Sequence, residues 1–402
     1  MRTARVACLA LLTGVVAAAL PAFAADWPNW RGPNHDGISP EKGFATAWQD
    51  APKTVWDKPI GAAFSSFTCI GDKVYTCGTK DKKQVLYCLD AKTGDVVWEK
   101  AFESERKDGQ GGDGTRATPT FDDGKIYIVG GHGLVLCVDA AKGKEIWQYK
   151  GNNEPQWGYS NSVLIEDDLA LVMPGKSDGG LVALNKKTGK EVWKCGDEQA
   201  GYATPYPFTF EGKRYIVAFM GKCAVIADAK TGKEAWRTLW KTSYDVNASS
   251  PIFHDGHLFL TSGYGTGCAL FKLTAAGDKL QGKEVWRNKN IVNKFQSCVL
   301  KDGILYGGDE KSLKAVDFKT GDVRWEVRER TANSTVLLAD NQLVVLTEGG
   351  KLMIAPVSPK EFKPTAEASI LDGRCWTIPT LHDGRLYARN LKKAVCVDLS
   401  MK

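Results

Sequence analysis

The stretch Leu89-Asp90-Ala91-Lys92-Thr93-Gly94-Asp95-Val96-Val97-Trp98 decides how this chain reads, because it returns. Comparable segments run from Asp139 to Trp147, Asn185 to Trp193, Asp228 to Trp236 and Asp317 to Trp325. A longer version ends Gly282-Lys283-Glu284-Val285-Trp286. In each, a short Asp or Asn acceptor shapes a turn by taking local backbone N–H groups, and Gly supplies the strained position. A strand ending in Trp follows. A second marker recurs out of phase, an acidic or Gly turn before an alternating strand. It falls at Gly71-Asp72, Asp123-Gly124, Asp167-Asp168, Glu211-Gly212, Asp255-Gly256, Asp302-Gly303, Asp340-Asn341 and Asp383-Gly384. The spacing of about 45 residues is that of a propeller blade.

One unit reads as four strands, at residues 117–122, 125–130, 134–139 and 144–148. The strands are β-branched or aromatic, with no competing helical period. An all-β, eight-bladed β-propeller of four-stranded antiparallel blades is the expectation. The last unit has strands near 377–381, 385–388 and 394–398 and then lacks its fourth. Lys53-Thr54-Val55-Trp56 is an orphan strand ending in Trp. We expect it to complete the last blade and close the ring, pairing edges that would otherwise be exposed. Trp56, Trp98, Trp147, Trp193, Trp236, Trp286 and Trp325 are then structural. Each should bury a face between blades and direct its indole N–H to a carbonyl.

The chain of 402 residues is 43% hydrophobic and 25% charged, which excludes a disordered, collagen-like or multi-pass membrane protein. Its net charge of +6 is scattered, much of it in repeat turns such as Lys92, Lys142, Lys186, Lys230 and Lys319. No basic helix or aromatic-basic stripe marks a nucleic-acid partner. Arg2 and Arg5, the apolar run from Val6 to Leu20, and Ala22-Phe23-Ala24 form a secretory signal. The expected division is a signal peptide over 1–24, an N-terminal extension over 25–52, and the propeller over 53–402. The product is expected to be periplasmic or secreted, with no integral membrane segment after cleavage.

Ten cysteines lie beyond the signal, without Cys-x-x-Cys, vicinal Cys-Cys or Cys-x-x-Cys-His. That excludes a c-type haem site, a thioredoxin motif and a standard zinc ribbon. Cys88, Cys137 and Cys396 each stand two residues before an Asp, as small buried core residues would. Cys268 and Cys375 are the pair to inspect for a disulfide, since both fall in loops assigned to one face.

The pattern Asp-x-x-Thr-Gly-x-x-x-Trp, with Ala two residues before the Asp, resembles the tryptophan-docking repeat of quinoprotein propellers. Residues 315–325, Ala-Val-Asp-Phe-Lys-Thr-Gly-Asp-Val-Arg-Trp, match it in full. The opening Trp27-Pro28-Asn29-Trp30-Arg31-Gly32-Pro33 resembles that of secreted pyrroloquinoline-quinone-like repeat proteins of planctomycetes. The resemblance implies two kinds of relative. Alcohol and sugar dehydrogenases bind pyrroloquinoline quinone with calcium at the axis. An outer-membrane assembly lipoprotein has eight blades, no cofactor and a binding role. This chain lacks the vicinal disulfide and haem segment of the dehydrogenases and the lipid-attachment Cys of the lipoprotein. The resemblance therefore carries the fold and neither activity.

The loops leading into the innermost strands share one face with those between second and third strands. There the sequence is aromatic and polar. The ligand-binding candidates are Arg116, Trp157, Tyr159, Tyr202, Asn247, Tyr264, Gln296, Asn333, Arg374 and Trp376. Arginines, flat rings and amides around one mouth suit a flat anionic ligand, whether quinone tricarboxylate, sugar acid or peptide carboxylate. Asp245 and Asn247 are the nearest thing to a calcium pair, with Asp245 the catalytic candidate as a carboxylate base. His254-Asp255-Gly256-His257 has metal-like spacing but lies on a hairpin turn of the opposite face. Gly263-x-Gly265-x-Gly267 precedes no helix, so it is not a dinucleotide fingerprint. The expectation is an exported propeller that binds a small anionic ligand or an envelope protein without a cofactor. The alternative is a dehydrogenase of alcohols or sugars using pyrroloquinoline quinone and calcium.

Overall fold

The computed structural model describes residues 26–401 apart from 329, and its strands form eight antiparallel blades in a ring. The expected signal peptide lies outside the described residues. The innermost strands of blades 1 to 8 are Thr68–Ile70, Thr120–Asp122, Leu164–Glu166, Tyr206–Phe210, Ile252–His254, Val299–Lys301, Thr335–Ala339 and Thr380–His382. Each blade runs outward in sequence order, as blade 2 does through Lys125–Val129 and Leu134–Asp139 to Glu145–Lys150. Blade 8 takes its outermost strand from the other end of the chain. Thr54–Pro59 pairs antiparallel with Lys393–Asp398, setting Trp56 opposite Cys396. The ring closes as the sequence predicts.

The repeat now has a mechanical meaning. In the blade 1 turn, Asp90 Oδ1 accepts the N–H groups of Lys92 and Thr93 at 2.9 and 3.0 Å. Each repeat Trp then docks on the next blade. Trp98 lies over Gly143, where an added Cβ would stand 2.6 Å from the indole. Its Nε1 donates to Ala140 O at 3.0 Å. Trp56, Trp147, Trp286 and Trp325 donate to carbonyls of the following blade in the same way, but the expectation fails at Trp193, whose buried Nε1 has no acceptor although its ring packs on Gly232. A β-bulge precedes every one of the seven, as where Cys88 pairs with Trp98 but Leu89 pairs with Val96. The extra residue bends the strand and aims the indole at its neighbour. It also explains the outward-facing Val97, Ile146, Val192 and Val285, which are the bulged residues. Cys88, Cys137 and Cys396 sit directly across from docking tryptophans, where a small buried side chain is needed.

Cys268 and Cys375, the pair to inspect first, form no disulfide. All ten described cysteines are free and buried. Cys268 stands in the third strand of blade 5, with Sγ 3.2 Å from Asn288 Oδ1, while Cys375 leads into blade 8 beside Asp372. The two belong to blades separated by two others, so sharing a face does not bring them together.

The fold departs from uniform four-stranded blades at one place. Ile38–Ser39 adds a fifth strand, parallel to Thr335–Ala339, inside blade 7. It ends a segment that crosses the axis. Trp27 bridges to Cys69 of blade 1, Pro28 O accepts Phe121 N of blade 2, and Arg31 Nη2 donates to Cys298 O of blade 6 at 2.6 Å. Past this segment the chain runs under blades 7 and 8. Gly43 N donates to Asp340 Oδ2, and the Glu41 carboxylate accepts the N–H groups of Asp383 and Gly384. Asp340, Asp383 and Gly384 lie in the turns between first and second strands and Phe121 stands two residues before one, while Cys298, just before its innermost strand, is reached by the long buried side chain of Arg31. Residues 27–39 therefore plug the axial channel at the end where those turns lie.

Candidate functional site

At the other end, the lead-in segments are held together by a ladder of hydroxyls. Ser66 N donates to Thr118 Oγ1, Thr118 N to Ser162 Oγ, and Ser162 N to Thr204 Oγ1, at 2.9–3.0 Å. Ser250 N donates to Ser297 Oγ at 2.9 Å. Blades 1 to 4, and blades 5 and 6, are thus joined through their lead-in segments, and the residues on either side of the rungs are presented to the axis. They enclose a cavity of about 470 Å³.

Eight aromatic residues line this cavity: Trp30, Phe64, Trp157, Tyr202, Tyr244, Tyr264, Phe295 and Trp376. Trp376 stacks on Phe64 with ring centres 5.6 Å apart and lies 4.4 Å from the ring of Phe295. Its indole N–H donates to Glu348 Oε1 at 2.6 Å. Trp30 comes from the plug and donates through Nε1 to Ser250 Oγ. It is the floor of the pocket.

The charged wall is Arg116 and Asp108. Arg116 Nη2 reaches Asp108 Oδ2 at 2.6 Å and Gly112 O at 3.0 Å. Asp108 Oδ1 accepts the N–H groups of Gln110 and Gly111. Burial opposes ionisation of Asp108, but those two N–H groups and the nearby Arg116 and Arg106 hold its pKa below the usual carboxylate value. Burial, with the Arg106 charge, pulls Arg116 below its ordinary value against the attraction of Asp108. Burial pushes the Tyr202 phenol up to about 12, so it stays neutral and accepts Trp157 N at 3.2 Å. Lys294 differs from the arginine. Its ammonium lies 5.1 Å from the centre of the Tyr264 ring and makes no ion pair or hydrogen bond among the described residues.

Five of the ten sequence candidates line the pocket: Arg116, Trp157, Tyr202, Tyr264 and Trp376. The other five support it or lie beside it. Tyr159 donates to Pro174 O at 2.8 Å and packs over Gly133. Asn247 Nδ2 donates to Met220 O and Gly221 O while its Oδ1 accepts Ser262 Oγ. Gln296 donates to Asn333 Oδ1, and Asn333 donates to Glu348. Arg374 lies over Trp376 and donates to Gly111 O, pinning the loop that carries Asp108. Asp245 faces Lys222 at 3.9 Å and does not converge with the saturated Asn247. Among the described residues, no group of three His, Cys, Asp or Glu is placed to hold a metal. His254 and His257 pack edge-on to Phe318 on their hairpin.

Sequence reasoning missed Phe64, Asp108 and Trp30, and left Tyr244, Lys294 and Phe295 out of the candidates although each is adjacent or close to a residue it did choose. Phe64 was open to discovery, because Phe64-Ser65-Ser66 stands at the blade 1 phase of the lead-in loops. Asp108 lies in a loop outside the repeat phase, and no periodicity points to Trp30. A second cavity of about 720 Å³ lies between the plug and blades 2 to 4. Two of its lining carboxylates are closed in the Lys186–Asp122 and Arg214–Glu166 pairs, at 2.8 and 2.7 Å.

Fold and pocket together define the class: an eight-bladed, tryptophan-docked propeller with an aromatic axial cavity, one end of it plugged. Within that class the chain belongs to the PQQ_2 family, described as outer membrane protein assembly factor BamB, whose profile matches residues 43–203, 178–277 and 221–400. It is 25% identical over 346 residues to outer membrane protein assembly factor BamB of Burkholderia pseudomallei (strain K96243), covering 74% of this chain and 86% of that protein. It is 32% identical over 168 residues to the quinoprotein alcohol dehydrogenase PedH of Pseudomonas putida, covering 40% of this chain but only 27% of the dehydrogenase. The crystal structure of quinohemoprotein alcohol dehydrogenase from Comamonas testosteroni superposes with a TM-score of 0.65 at 12% identity, over 94% of this chain and 81% of that one. That likeness is one of fold. No helix among the described residues is long and apolar enough to cross a membrane.

Proposed function

We propose that this is an exported binding propeller that takes a ligand, or a side group of an envelope protein, into its axial pocket without catalysing a reaction on it. The observation that carries this reading is the pocket itself. Aromatic walls, a few placed polar groups and one open mouth are the usual make-up of a small-molecule site. The relationship to an assembly factor supports a protein partner as the source of that group. The test is a titration followed by tryptophan emission, comparing the wild type with Trp376→Ala and Trp157→Ala. Equal quenching in all three would place binding outside the pocket.

The dehydrogenase reading is favoured by the 32% identity to PedH. Pyrroloquinoline quinone is a flat tricarboxylate, and its calcium takes about six to eight oxygen ligands. Among the described residues, Asp108 is the one carboxylate lining the cavity, and Arg116 and two backbone N–H groups already hold it. Among the described residues, Lys294 is the one lining cation without a carboxylate partner. These residues do not fit the quinone–calcium pair. Mixing the protein with quinone and calcium should give neither a bound chromophore nor dye reduction with alcohols or aldoses.

A further inference from the structure

We propose that the axial pocket binds one pyranose ring bearing a single carboxylate, a hexuronic acid presented end-on. This rests on the ligand-binding reading of the same pocket and names its ligand class. Four features of the cavity lead there.

The pocket is blind. Trp30 closes its far end, so a polymer cannot thread the ring, and only a terminal or free unit can enter. Its walls are largely aromatic, from Trp30, Phe64, Trp157, Tyr202, Phe295 and Trp376, which suits the C–H face of a sugar. Its charge calls for one anion. Arg116 is neutralised by Asp108, while the Lys294 ammonium has no carboxylate partner among the described residues. A cationic ligand is disfavoured, because Phe64, Tyr264 and Trp376 already carry Arg116, Lys294 and Arg374 on their rings.

The wall also requires hydroxyls. Gln110, Gln156, Ser160 and Thr204 line it. The buried indole N–H of Trp157 has no acceptor in the protein. Ser160 and Thr204 are already bonded to Tyr202 O and Ser162 N, but the Gln110 and Gln156 side chains make no hydrogen bond among the described residues. A bare aromatic acid would leave them dry and unpaired, which costs binding energy that a hydroxylated ring recovers.

The experiment titrates the full chain with glucuronate, glucose and benzoate, read by calorimetry and tryptophan emission. Glucuronate should bind at least about tenfold tighter than either of the others, the size of effect expected for one charge-assisted contact. Lys294→Gln should bring glucuronate down to the level of glucose and leave glucose unchanged. Because Lys294 Nζ makes no ion pair or hydrogen bond among the described residues and touches only the Tyr264 and Phe295 rings, this variant should melt close to the wild type. Glucose binding as tightly as glucuronate, or indifference to Lys294→Gln, overturns the acid. Benzoate binding as tightly as glucuronate overturns the hydroxylated ring. In those outcomes the pocket still binds, and the broader reading stands. If none of the three binds while other ligands quench pocket emission, the uronic acid alone is overturned. If no ligand perturbs pocket emission, both fall.

Discussion

Trp30 Nε1 donates to Ser250 Oγ at 3.2 Å across 220 residues of sequence, tying the N-terminal plug to the inner end of blade 5. The bond makes the pocket floor a part contributed from outside the repeat. Trp30→Ala should open the cavity to the opposite face and weaken ligand binding by at least about tenfold. Because Trp30 is half-buried, stability should fall by only about 1–2 kcal/mol. Trp30→Phe should keep most of the binding. Titration and denaturant unfolding on both variants would check this.

The docking of indole on glycine can be isolated from backbone strain. Gly143 and Gly124 both have positive φ, +64° and +71°. A Cβ on Gly143 would meet Trp98 at 2.6 Å, whereas one on Gly124 meets nothing within 4 Å. Gly124→Ala should cost about 1 kcal/mol, from the left-handed backbone alone. Gly143→Ala should cost about 1–3 kcal/mol more. Equal costs in denaturant unfolding would mean that the tryptophan does not bear on the turn.

Arg116 cannot be removed silently. Its partner Asp108 is almost fully buried, with 5% of its side chain exposed. Arg116→Ala should therefore destabilise by about 3 kcal/mol, since it strands a buried charge that Arg106 compensates poorly from 3.7 Å. Asp108→Asn added to Arg116→Ala should recover a good part of that loss. A double-mutant cycle on thermal midpoints measures the coupling.

The plug should loosen in acid. Burial, then the Arg214 charge, lowers the His35 pKa from 6.5 to about 4, against a backbone hydrogen bond that raises it. The folded protein therefore refuses a proton that the unfolded chain accepts below pH 6.5. Stability contributed by neutral His35 is complete above pH 6.5 and is lost as pH falls toward 4. The loss should be about 2 kcal/mol for this partly exposed ring. Denaturant midpoints from pH 7 to 4 should fall less in His35→Asn than in the wild type, and identical slopes would rule His35 out.

None of the ten described cysteines should react with a thiol reagent in the native state, and all should react on unfolding. Burial raises Cys77, Cys298 and Cys375 to about 12, which suppresses the thiolate as well as access. Thiol counting with and without denaturant decides it.

The fold was legible because its determinants are local and repeated. Asp90, Gly94 and Trp98 each do their work within one turn or on the adjacent blade, so the pattern shows in sequence order. The pocket was half legible for the same reason. Trp157 and Trp376 stand at a fixed phase of the repeat, and so does the overlooked Phe64. Tyr159 and Asn247 share that phase, yet their polar atoms turn to carbonyls of their own neighbourhood. Residue type and phase do not determine that choice, which depends on where carbonyls such as Pro174 O and Met220 O are free. Trp30 acts across blades from a non-repeating segment, and no spacing encodes such a meeting, while Asp108 pairs with Arg116 eight residues on but in a loop outside the repeat.

The antiparallel pairing of Thr54–Pro59 with Lys393–Asp398 has a consequence for how the chain reaches this structure. The first strand of the ring must wait for the last. While the polypeptide is being made or threaded outward from its N-terminus, Thr54–Pro59 remains an unpaired edge until more than 330 further residues have followed. That pairing is among the longest-range contacts in the molecule, and such contacts are slow to form. Cutting the chain before Lys393 would do more than remove one blade. It would leave two open edges on an arc, each a template for pairing with another chain.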